Sequence, residues 1–114
     1  MRLFSGQQAF VAQRLSALIV LAYLTGGALW LAFGPAATFA RWQAWSSQPL
    51  AATALFVLAV AVLAHAWVGV RDVALDYVRP LILRLAVLGT TATVLVGLAA
   101  WTALILFSHV LSFA

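Results

Sequence analysis

Residues 50–70 read LAATALFVLAVAVLAHAWVGV, a run without a charged residue that ends against Arg71. As a helix rising about 1.5 Å per residue, it covers the roughly 30 Å hydrocarbon core of a bilayer. Lipid offers no hydrogen-bond partners to the backbone, so a run of this kind must be helical. Reading outward finds two more charge-free runs, Leu15–Phe33 and Leu85–Phe107. Pro49 and Pro80 stand just ahead of the second and third runs, where a first-turn proline loses no helical hydrogen bond. The expected fold is all-α and integral to the membrane. Three transmembrane helices are expected at about 11–34, 49–76 and 80–110, within a single domain over residues 1–114.

Composition supports this. Of 114 residues, 67% are apolar and 7% charged, against roughly a quarter charged in soluble domains. The cations are all arginine, and the anions are Asp72 and Asp76. The arginines lie at the ends of apolar runs and form no basic stripe, which excludes a nucleic-acid surface. The absence of cysteine excludes disulfides, cysteine-ligated iron–sulfur clusters and covalently attached haem within the chain.

The arginines also set direction. Arg2 and Arg14 precede the first run, and Arg71, Arg79 and Arg84 lie between the second and third. The positive-inside rule then places the N-terminus inside and the C-terminus outside, with Arg41 alone on the outer side. Trp30, Trp42 and Trp45 fall where an outer aromatic belt is expected. The competing reading of the first run, a cleaved signal peptide, conflicts with its length. Ser5-Gly6-Gln7-Gln8 has capping-box spacing, so a short inner-surface helix is expected to lead into the first span. A first span so near the start, without a transit peptide, points to a bacterial inner membrane.

An ionisable residue within a span is costly and marks function by default. His65 is such a residue, about 9 Å along the helix from Arg71. Gly69, Asp72 and Asp76 follow at helical spacing, within roughly 60° of His65 on the wheel if the helix continues that far. That stripe combines an imidazole, a gap without a side chain, and two carboxylates. An intramembrane histidine bonds across helices, relays protons or ligates haem iron. Gly69 favours the last, since a flat macrocycle needs room against the backbone. Asp72 reads as an ion-pair partner of Arg71, Arg79 or Arg84. Asp76 is either another such partner, a cap for the third helix, or functional. His109 lies about 37 Å of helix from Arg84, so the two histidines occupy opposite depths. They cannot both ligate one haem within one chain.

The run His65-Ala66-Trp67-Val68-Gly69, followed by Asp76-Tyr77, Arg79-Pro80 and Leu81-Ile82-Leu83-Arg84, resembles the small hydrophobic membrane anchor of bacterial succinate dehydrogenase, respiratory complex II. That family carries His-Ala-Trp-x-Gly, Asp-Tyr, a basic residue, proline and Leu-x-x-Arg at this spacing. The resemblance implies that His65 is one axial ligand of a haem b, its iron completed by a histidine of a cytochrome b-type partner anchor. It implies that Gly69 packs against the haem and that Arg14, in Gln13-Arg14-Leu15-Ser16, approaches a haem propionate. Tyr77 would hydrogen-bond ubiquinone, with Asp76 beside it. Arg79 stands where relatives often have lysine, and its fork geometry differs from a point charge. The further partners implied are an iron–sulfur subunit and a flavoprotein subunit. The implied function is succinate:quinone oxidoreduction in respiratory electron transport and the tricarboxylic acid cycle, with the chain non-catalytic alone. Two other readings stand beside this one: an anchor of a fumarate reductase or another quinone-linked complex, and a structural or transport subunit without haem. The Ala-rich second span and Gly26-Gly27 permit close helix contact, so a second membrane subunit is expected to complete the bundle.

Overall fold

The computed structural model describes residues 6–114. Four α-helices follow one another: α1 (Gly6–Phe33), α2 (Phe39–Ser46), α3 (Pro49–Tyr77) and α4 (Leu81–Ser112). The three long helices are each apolar and long enough to cross a membrane, and each contains one of the charge-free runs. Arg2 and the Ser5 of the capping-box reading lie outside the described residues.

α3 is the centre of the fold. It packs against α1 on one side and α4 on the other, and among the described residues α1 and α4 do not pack against each other. The chain therefore forms an open, antiparallel row with overall extents of 51 × 29 × 21 Å. Small residues let the helices approach: Ala51, Ala52, Ala61, Val68 and Ala74 of α3 are buried. By contrast, α4 has no fully buried residue and α1 has only Ala9 and Ser16. Most of the large side chains face outward, which water would not permit but lipid or a neighbouring apolar subunit does.

The helix ends agree with the sequence expectation to within about a turn. α1 is already helical at Gly6, the first described residue, about a turn before the expected residue 11 and in keeping with a short helix leading into the first span. Its end is set at Gly34, whose N–H bonds the Trp30 carbonyl at 2.8 Å and where a Cβ would strike that same oxygen. The segment from 71 to 84 is nearly all helix, as the expected bounds of 49–76 and 80–110 require. α3 runs through Arg71, Asp72 and Asp76 to Tyr77, and only Val78, Arg79 and Pro80 are non-helical. Interfacial charges do not unwind a helix whose backbone is already satisfied; proline, which disfavours helix in the residue before it, does. The third span opens on Pro80 with no side-chain cap, so Asp76 does not cap it.

Nothing in the pattern of apolar runs marks the short helix α2. Thr38 caps it, its side chain accepting from the Arg41 N–H at 3.3 Å. α2 packs against both α3 and α4 and carries Trp42 and Trp45 as a tilted ring pair with centroids 5.5 Å apart. It closes one end of the row; the turn at Val78–Pro80 and the start of α1 form the other, arginine-rich end.

Candidate functional site

α3 rises from Pro49, so His65 lies about 24 Å along it from that end and about 18 Å from Tyr77. His65 is half-buried. Because α3 is continuous through Asp76, His65, Gly69, Asp72 and Asp76 do fall on one face, as the helical wheel requires.

The imidazole is met by α1. Its Nδ1 lies 3.3 Å from Ser16 Oγ, and its Nε2 lies 3.5 Å from the Gln13 amide nitrogen. Ser16 is buried, 5% exposed, and its hydroxyl also donates to the Gln13 carbonyl oxygen at 3.0 Å. Gln13 Oε1 is buried without a hydrogen-bond partner, so the amide is only half satisfied and its hold on Nε2 is weak. Gly69, one turn along α3, is half-buried, and a Cβ added there would meet nothing within 4 Å. Both imidazole nitrogens thus meet side chains of α1, and an open backbone position lies one turn away on α3.

Neither Gln13 nor Ser16 stands out in the sequence as a partner of His65. The available signal is weak: two polar residues three apart at the start of an apolar run, the second of them inside it.

At the arginine-rich end, Asp76 and Tyr77 close α3 and both are exposed, Tyr77 at 80%. Asp72 forms an ion pair with Arg71 at 3.2 Å, the partner nearest in sequence among the three considered. No hydrogen bond or ion pair holds Asp76 among the described residues. Arg14 is exposed, its guanidinium 5.0 Å from the Phe10 ring centroid. Arg84 donates to the Arg79 carbonyl oxygen at 3.4 Å, tying the turn to the first coil of α4. The structure thus brings His65 together with Gln13 and Ser16, and leaves Asp76, Tyr77 and Arg14 facing outward.

The opposite end holds the other histidine. His109 Nε2 lies 3.0 Å from Ser46 Oγ, and its ring stands edge-on to Phe113 at 5.1 Å. This pair links α2 to α4, far along the row from His65. A partly open cavity of about 870 Å³ lies near this end, with Gly26 and Gly27 of α1, Leu58 of α3, and Trp30, Arg41 and Trp45 in its wall. Neither histidine nor Tyr77 lines it. Among the described residues no group of three histidine, cysteine or acidic side chains is placed to hold a bare metal ion. A metal held by His65 would therefore need ligands from beyond the described residues.

Comparison with known protein families gives a match over residues 1–106 to the one described as succinate dehydrogenase/fumarate reductase transmembrane subunit. A search of curated proteins gives no match.

Proposed function

The chain belongs to the succinate dehydrogenase/fumarate reductase transmembrane subunit family, and from that premise we propose that it is the small membrane anchor of a bacterial succinate:quinone oxidoreductase, helping to bind haem b and forming part of the ubiquinone-reduction site. The chain sits in the inner membrane with its arginine-rich end inside.

His65 would hold the haem iron through one imidazole nitrogen, together with a histidine of a second membrane anchor. His109 cannot do so, since it is tied to Ser46 at the opposite end of the helices. Gly69 leaves room for the flat macrocycle, and Arg14 stands ready for a propionate. When bound, the haem supplies one-electron redox capacity within the bilayer. Tyr77 donates its phenol O–H to a quinone carbonyl oxygen, and Asp76 beside it holds or passes a proton. The exposed position of both residues suits a quinone head at the membrane edge with its tail in lipid.

Quinone reduction takes two electrons, and a chain without cysteine holds no iron–sulfur cluster to deliver them. An iron–sulfur protein docked on the arginine-rich end, fed by a flavoprotein, fills that need. The chain is therefore not an enzyme alone.

The observation that carries the reading is the separation of the two groups on one continuous helix. A half-buried histidine lies in mid-span, and an exposed Asp-Tyr pair lies about 18 Å further on, at the helix end. The test begins with isolation of the native complex through this chain. A flavoprotein and an iron–sulfur protein should co-purify, and the reduced-minus-oxidised spectrum should show a b-type haem. Tyr77→Phe should lower quinone-linked succinate oxidation by roughly tenfold, as loss of one hydrogen bond made in the transition state does. Dye-linked oxidation should stay as in the wild type. Unchanged quinone reduction at normal expression would place the site elsewhere.

A further inference from the structure

We propose that Ser16 is a positioning residue for His65: its hydroxyl fixes the imidazole with the proton on Nδ1 and leaves Nε2 unprotonated, the form that can ligate iron. This rests on the haem reading above. The inference comes from where each proton must be. A serine hydroxyl has one hydrogen. The Ser16 hydrogen goes to the Gln13 carbonyl oxygen at 3.0 Å, a backbone acceptor one turn back in α1. The same oxygen is then free only to accept, so the 3.3 Å contact to His65 Nδ1 requires an N–H on that nitrogen.

The Gln13 side chain supports the same assignment. Its amide nitrogen, a donor, faces Nε2 at 3.5 Å, and two N–H groups do not face each other at a hydrogen bond. Turning the amide over would place its carbonyl oxygen on Nε2 and require the opposite form of the ring. The Ser16 hydroxyl would then have to leave the Gln13 carbonyl. Because Ser16 is only 5% exposed, water does not compete for its hydroxyl.

The result is a chain from His65 Nδ1–H to Ser16 Oγ–H to the Gln13 carbonyl. An outer hydrogen bond of this kind orients a metal-binding imidazole and makes its far nitrogen more basic. A more basic ligand favours ferric over ferrous iron, so Ser16 lowers the reduction potential of the haem. The Gln13 amide, with its Oε1 unpartnered, is the group that yields Nε2 to the iron.

The test uses the purified complex with its haem. In Ser16→Ala the b-type spectrum should remain, haem should be retained roughly 10–100-fold less tightly, and the midpoint potential should rise. Each tenfold loss of ferric over ferrous preference corresponds to about 59 mV for a one-electron couple. Ser16→Thr and Ser16→Val, which share a shape and differ in the hydroxyl, serve as the second pair. The threonine variant should keep the wild-type potential and the valine variant should rise with the alanine variant. Equal potentials in the threonine and valine variants, or an alanine variant indistinguishable from wild type, would overturn the assignment and leave the haem reading standing. A wild-type complex without any b-type spectrum would overturn both.

Discussion

The molecule uses one local device twice, with opposite results. At Gln13–Ser16 and at Gln43–Ser46, a serine donates to the carbonyl three residues earlier, at 3.0 and 3.3 Å, and meets a distant histidine. In the first case the histidine presents Nδ1 to the serine; in the second it presents Nε2. On the proposal above the proton of His65 is on Nδ1, whereas His109 meets its serine through Nε2. The surroundings differ too. His65 has an open glycine face one turn away and a loosely held amide on its free nitrogen. His109 is packed edge-on against Phe113 and clamps α2 to α4. The comparison teaches that a Ser–His contact is neutral as to role. On the proposed reading, which ring nitrogen the contact uses, and what lies beside the other, would separate a ligand from a tie.

The contrast is most directly broken by exchanging the histidines' fates. His65→Ala should abolish the b-type signal of the complex, whereas His109→Ala should leave it intact. A surviving signal in the first variant, or its loss in the second with assembly preserved, would reverse the roles. A smaller effect is expected from Gly69→Leu. The chain alone leaves space where the side chain would begin, since a Cβ there meets nothing within 4 Å. Folding of the chain should be unaffected while haem content falls; full haem occupancy in that variant would remove Gly69 from the site. The smallest effect belongs to the tie at the other end. Ser46→Ala removes one hydrogen bond between helices, worth roughly 0.6–1.7 kcal/mol in a membrane protein. It should lower the Tm of the detergent-solubilised complex slightly and leave haem spectrum and quinone reduction unchanged. A spectral change from Ser46→Ala would show that the two ends are not independent.

Much of the architecture is legible in the residues because lipid imposes it. A charge-free run of membrane length has one backbone solution, so the three spans, the first-turn place of Pro49 and the break at Pro80 follow from the residues alone. The stripe from His65 to Asp76 is legible for a similar reason: helical spacing is fixed once the helix is continuous. One local feature is not. Residues 39–46 carry no long apolar run, and their helix depends on the Thr38 cap and on packing against α3 and α4.

The partners of the two histidines belong to a different class of information. Ser16 and Gln13 are 49 and 52 residues from His65, and Ser46 is 63 residues from His109. The sequence by itself determined the number of candidate spans, their boundaries to within about a turn, and the position of each polar residue along its helix. These follow from hydrogen-bond saturation and a constant rise per residue. Only the tertiary structure decided how α1 is rotated against α3, and hence that a serine and an amide meet the imidazole. That rotation is settled by which small side chains let the helices approach over their whole length, and no single helix records it in its own periodicity.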